Sequence, residues 1–376
     1  MTLGITSKAK AMIADGRDVA NMCAGEPDFD TPRHIKEAAA KALDAGDTKY
    51  TPVAGRPELR EAVAAKFSNE NGLHCSAQQI VVSPGAKFSV FATVAVLCGP
   101  GDEVILPKPY WLSYAEMVLA AGATPVFMDT ALADGFCLDP AALEEKVTER
   151  TKLLVLNTPS NPAGGVYRRS VLEAIAELAV RHDFMVLADE IYEKLVYESD
   201  FPHVSIGSLG PEIEARTITV NGFSKAYSMT GWRLGYLAAP EPLAKAIAAL
   251  QSHSTSNAVS FAQAGALAAL TGAQEPVEEM RQAFAKRRDE ICRLLHAIPG
   301  MNVFVPRGAF YVFPDISAFG LDSMTFAERS LEEANVAVIP GKPFGMDTNI
   351  RLSYACSSDT IQKACGRLAE FCGTLR

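Results

Sequence analysis

The stretch Arg216–Ala238, RTITVNGFSKAYSMTGWRLGYLA, decides how the chain folds. Arg216–Val220 and Trp232–Ala238 have the β-branched and apolar content of strands, and Asn221–Gly231 joins them. Eleven residues are slightly too few for a helical crossover between parallel neighbours, so the second strand is expected to run antiparallel to the first. Working outward, further strands are expected at Gln79–Val82, Glu103–Leu106, Thr124–Phe127, Lys152–Leu156 and Phe184–Ala188, with helical stretches between them. That alternation belongs to an α/β fold: a mostly parallel seven-stranded sheet with one antiparallel strand, flanked by helices. Most of these strands run into Pro, Gly, Asn or Asp, which gathers polar loops at the carboxyl edge, where open α/β sheets bind ligands.

After about residue 270 the texture changes. A helix at Glu275–His296, a strand at Ala309–Pro314, a helix around Met324–Glu333, strands at Val336–Ile339 and Asn349–Ser353, and a final helix from Thr360 describe a second, smaller α+β domain. The expected organisation is an N-terminal segment, 1–27, packed on the small domain, a large domain, 28–270, and the small domain, 271–376. With 376 residues, 48% hydrophobic and 21% charged, there is apolar material for both cores.

Composition also removes several functions. Net charge is −9, the pI is near 5.3 and no basic tract occurs, so nucleic acid is not an expected partner. No apolar run approaches the ~18 residues of a membrane span. The first residues show no basic region followed by an apolar one, so no membrane partner and a cytoplasmic location are expected. Eight scattered cysteines without a Cys-x-x-Cys pair imply reduced thiols and no structural metal.

The candidate chemistry lies in the loops at the sheet edge. Lys225 follows a buried strand, where a lysine can simply be solvated. Ser224 and Arg233 flank it, however, and can bind a phosphate, so an amine beside a phosphate site suits a phosphorylated aldehyde cofactor. Asp189 ends the apolar run Met185–Ala188; it could cap a helix starting there, or hold a proton on a pyridine nitrogen and so make the ring an electron sink. Tyr192, a helical turn further on, could reach the ring hydroxyl. Asn161, in Asn157-Thr158-Pro159-Ser160-Asn161-Pro162, could do the same or merely shape a turn. Gly85 and Ala86 sit where a strand meets a helix whose free amides attract anions. The spacing there is not that of a nucleotide-binding P-loop. Trp111 could cover a flat ring or pack in the core. Arg351, in a short apolar strand, needs a counter-charge, which a substrate carboxylate or a structural acid could supply.

Read in order, Gly25-Glu26-Pro27-Asp28-Phe29-Asp30, Lys49-Tyr50-Thr51-Pro52, Pro109-Tyr110-Trp111, Asn161-Pro162-Ala163-Gly164, Ala188-Asp189-Glu190-Ile191-Tyr192, Ser224-Lys225 through Tyr236 and Arg351-Leu352-Ser353-Tyr354 resemble the class I aminotransferases of fold type I. The resemblance runs from about Ser7 to the C-terminus. It implies that pyridoxal 5'-phosphate is carried as a Schiff base on Lys225, which then shuttles the proton of the 1,3-prototropic shift. It further implies that Asp189 pairs with the pyridine nitrogen, Asn161 and Tyr192 bond the ring oxygen and Trp111 stacks on the ring. Gly85, Ala86, Ser224 and Arg233 would hold the phosphate, with Tyr50 of the partner subunit, and Arg351 would take the substrate α-carboxylate near the backbone of Gly25. A homodimer with shared sites follows from the same resemblance.

Lys87 looks like the lysine that meets a second substrate carboxylate in the bacterial aspartate/prephenate branch, and could instead neutralise the cofactor phosphate. Thr2 aligns with a threonine that assists there, on an N-terminal arm that is short for the branch. The expected reaction is ping-pong transamination from aspartate or another dicarboxylic donor to an oxo acid such as 2-oxoglutarate. A carbon–sulfur β-lyase and an aromatic aminotransferase of the same fold are the alternatives. A cofactor-binding regulator would need a DNA-binding module for which the chain has no spare length.

Overall fold

Strands β1 (Ile80–Ser83), β2 (Glu103–Pro107), β3 (Thr124–Met128), β4 (Thr151–Asn157), β5 (Met185–Asp189), β6 (Thr217–Gly222) and β7 (Gly235–Ala238) form one sheet in the order β1-β7-β6-β5-β4-β2-β3. The computed structural model describes residues 2–375, with side chains from Gly4 onward. As the short Asn221–Gly231 connection requires, β7 runs antiparallel to both β6 and β1, with Gly222 opposite Gly235; the other pairs are parallel.

Both faces of the sheet are apolar. Val104, Leu106, Leu153, Val155, Leu187 and Val220 belong to one core cluster, while their neighbours Ile105, Leu154, Leu156, Val186 and Ala188 belong to another. Burial on both sides explains why these strands appear in the sequence as continuous apolar runs instead of alternating ones. Each Val, Leu and Ile among them contributes roughly 1.5–3 kcal/mol by leaving water, so the strand ends that carry the polar residues are held on a rigid frame.

The expected strand starting at Trp232 is shorter. Thr230–Trp232 forms a tight 3₁₀ turn and Arg233 is left-handed, with φ of 54°, so extended backbone resumes only at Gly235. The expected helix start after Asp189 is also corrected. Residues 190–194 make tight turns in which Glu193 N–H donates to Glu190 C=O and Leu195 N–H to Tyr192 C=O. Glu190 N–H still bonds Val220 of β6, so the backbone leaves the sheet too late to begin a helix.

Beyond the sheet, Ile339–Pro340, Ile350–Ser353 and Tyr311–Val312 pair antiparallel in that order, and Ala20–Asn21 lies parallel to Val336–Ala337. The strand expected at Val336–Ile339 is thus split between two sheets. That expected at Ala309–Pro314 shrinks to two residues because Ala309 has φ of 59° and Pro314 lacks an N–H. Helices Glu275–His296, Ser323–Ala334 and Ser358–Thr374 surround these strands; Asp322 and Ser357 cap the last two by accepting from Thr325 and Thr360 N–H. Ile5, Ala9 and Met12 of helix Thr2–Ala14 share one core cluster with Phe284, Phe326 and Leu368. Among the described residues no helix is long and apolar enough to cross a membrane.

Candidate active site

The carboxyl ends of β4, β5 and β6 open into a cleft of about 370 Å³. It brings together Gly25, Ala86, Lys87, Trp111, Asn161, Asp189, Tyr192, Ser224, Lys225, Arg233 and Arg351, which are drawn from segments as much as 326 residues apart in the chain. Gly85 is not among the residues lining the cleft but immediately precedes helix Ala86–Leu97, whose first two residues are. Tyr50 does not line the cleft and is 90% exposed. The side chain of Thr2 lies outside the described residues.

Lys225 is half-buried, and its Nζ donates to Gly25 C=O at 2.5 Å. Burial, with help from Arg351 and Arg233, pulls its ammonium down to about 8 against the attraction of Glu26 and Asp189. The neutral, nucleophilic amine is therefore far more abundant near neutrality than for an ordinary lysine.

Asp189 is buried at the end of β5. Its Oδ2 accepts from the Tyr114 hydroxyl at 2.6 Å and its Oδ1 from Ile191 N–H at 3.3 Å. Burial raises its carboxyl to about 6, the two hydrogen bonds opposing the rise. A cation delivered to this carboxylate would relieve that penalty.

The start of helix Ala86–Leu97, where free amides suit an anion, is shaped by Gly85 and Arg233. Gly85 has φ of 94°, and a Cβ there would come within 2.7 Å of Arg233 Nη2, so glycine alone lets the guanidinium close over the helix start. Arg233 Nη1 donates to Thr230 C=O at 2.9 Å, which holds the fork in place, and the buried Ser224 lines the same cleft. Lys87 Nζ lies 4.8 Å from the centre of the Trp111 ring, and burial together with Arg233 lowers its ammonium.

Arg351 is 7% exposed. Its Nη1 donates to Asn161 Oδ1 at 3.0 Å and its Nη2 to Cys23 C=O at 3.2 Å, while Nε has no partner. Among the described residues no carboxylate forms an ion pair with it, and its cationic carbon stacks 4.4 Å from the Tyr311 ring centre. A buried guanidinium without an acid is a site for an anion.

Three contributors were assigned no role from the sequence. Asn157 Oδ1 accepts from Asn161 N–H at 2.8 Å and its Nδ2 donates to Asp189 C=O at 2.9 Å, tying the two loops together. The Tyr311 hydroxyl meets that of Tyr192 at 3.0 Å, and Tyr114 holds Asp189. The spacing of Tyr114, three residues beyond Trp111 at the start of helix Ser113–Ala120, was a signal that could have found it.

Behind Asp189, Lys66 pairs with Glu193, and Asn71 donates to Glu190 at 3.1 Å and to Glu193 at 2.6 Å. Glu190, Glu193 and His203 have atoms within 4.8 Å of one another, the one group spaced for a metal among the described residues. Lys66 and His203, the latter 3.0 Å from Glu190, already face these carboxylates as cations or potential cations.

An aldehyde-reactive amine, an anion cradle, a buried acid and an aromatic wall in one cleft fit a phosphorylated pyridine aldehyde better than any metal. Residues 17–368 match the family described as aminotransferase class I and II, and the chain belongs to that family. Over 375 residues it is 46% identical to an aspartate aminotransferase of Geobacillus stearothermophilus, covering 98% of this chain and 95% of that one. An aspartate/prephenate aminotransferase of Cereibacter sphaeroides is also 46% identical, over 100% and 96% of the two chains. The solved aspartate aminotransferase of Thermus thermophilus with maleate superposes with a TM-score of 0.94 at 46% identity, covering 98% and 96%. The protein is an aspartate aminotransferase-like enzyme.

Proposed function

We propose that this enzyme moves the amino group of aspartate to 2-oxoglutarate in two half-reactions at a single site, with pyridoxal 5'-phosphate attached to Lys225. The observation that supports it most is Arg351, buried, aimed into the cleft with Lys225 and lacking an acidic partner. When bound, the cofactor supplies an electron sink for the pair of electrons left at the substrate α-carbon.

The chain's own residues do the rest. Ser224, Arg233 and the amides after Gly85 bind the phosphate, and Asp189 keeps a proton on the ring nitrogen. Asn161 and Tyr192 bond the ring oxygen, and Trp111 covers the ring. Arg351 orients the α-carboxylate so that the α-hydrogen faces Lys225, whose lowered proton affinity lets it accept and return that proton near neutral pH. Lys87 takes the second carboxylate; the maleate in the Thermus structure is itself a four-carbon dicarboxylate. Tyr50, so exposed here, completes the phosphate site of a second copy in a homodimer. Division into 1–27, 28–270 and 271–376 belongs to the same reading.

A panel of amino donors assayed against 2-oxoglutarate tests it. Aspartate should give the highest kcat/KM, with glutamate formed in step with oxaloacetate. Pyruvate and ammonia released from a cysteine conjugate without any oxo acid would point to the β-lyase instead, and a preference for phenylalanine to the aromatic enzyme.

A further inference from the structure

Asp189 has to stay charged in a place that works against charge. It is 5% exposed, lies at the end of an apolar strand and has no cation within ion-pair distance among the described residues. Its neighbour Glu190 adds negative charge, and Lys225 acts on it only weakly. The side-chain donor to its carboxylate is Tyr114, whose hydroxyl reaches Oδ2 at 2.6 Å while Ile191 N–H takes Oδ1 at 3.3 Å.

Tyr114 is itself fixed. It is 3% exposed, begins in the first turn of helix Ser113–Ala120, and packs edge-on against Trp111 with ring centres 5.2 Å apart and planes at 85°. Burial and the adjacent carboxylate push its phenol well above the usual range, so it remains a donor.

We propose that Tyr114 is the positioning residue for Asp189: its hydroxyl fixes the plane of the carboxylate and stabilises its charged form, and its ring ties that acid to the Trp111 wall. The inference rests on the cofactor reading above, because only a ring nitrogen gives Asp189 its task. A hydrogen bond from a neutral donor that favours the charged form is expected to change the protonation equilibrium of the acid about tenfold.

The test begins on the full-length protein without cofactor, by following the infrared band of protonated carboxyl that Asp189→Asn removes. In Tyr114→Phe the titration of that band should move up by about tenfold in proton affinity. A site-specific Tyr114→3-fluorotyrosine, with the same shape and a stronger donor, should move it down; this second variant decides the matter if the phenylalanine variant folds poorly. With pyridoxal phosphate bound, the pH titration of its visible absorbance should shift upward in Tyr114→Phe and stay unmoved by the same change in an Asp189→Asn background. An Asp189 titration identical across Tyr, Phe and fluorotyrosine overturns the inference. Failure of the wild type to bind pyridoxal phosphate would overturn the cofactor reading instead, and the two failures are read in separate arms.

Discussion

Replacing Arg351 is the sharpest challenge to the substrate assignment. Two of its five N–H donors are engaged, by Asn161 and Cys23, which leaves Nε and one hydrogen on each terminal nitrogen for an incoming carboxylate. Hydrogen bonds to charged groups are worth about 1.5–3 kcal/mol each. Lysine retains charge but loses the fork, so Arg351→Lys should lower kcat/KM for aspartate by about 10- to 100-fold. Arg351→Leu removes both bonds and the charge, and on the order of 1,000-fold should be lost. Steady-state kinetics with aspartate, beside an amine donor that has no α-carboxylate, separates the two contributions. The carboxylate-free donor should gain nothing from Arg351 and lose nothing with it. If both donors suffer equally, or if Arg351→Lys stays within twofold on aspartate, the guanidinium is structural and the reasoning fails.

Three other outcomes are expected. Lys225→Ala should abolish turnover together with the visible absorbance of the reconstituted enzyme; an active variant that keeps the band would refute the attachment point. Lys87→Ala should reduce kcat/KM for aspartate by about 10- to 100-fold and leave phenylalanine nearly unchanged; equal losses on both would place Lys87 at the cofactor phosphate. For the protein without cofactor, Asp189 titrates near 6 when folded against an ordinary 3.8. Its burial therefore favours the fold below about pH 4, and that advantage is lost as pH rises through 6. Relative to wild type, Asp189→Asn should gain stability across this window, by up to about 3 kcal/mol. Denaturant midpoints showing a flat difference between pH 4 and 6 would contradict the assignment.

Much of the architecture was legible because the strands are buried on both faces and the Asn221–Gly231 link is short, two properties that composition and counting reveal directly. Boundaries failed where a single residue changed the backbone: Arg233 in the left-handed region, and Glu190 still bonded to the sheet. The cleft was legible wherever a residue sits in a loop after a strand. Tyr114, Asn157 and Tyr311 were hidden because their work is done through other side chains, across 75, 32 and 119 residues of sequence to Asp189 and Tyr192. That Arg351 lacks an acid could not be read at all, since an ion pair is a fact of three dimensions.

The hairpin carrying Lys225 has both of its legs stitched into the same sheet, with Gly222 facing Gly235. Its lysine and Asp189, at the end of the neighbouring strand β5, are thus anchored to one frame. Arg351 lies on a different, three-stranded sheet, so the amine and the guanidinium that face one cleft are carried by two separate frames.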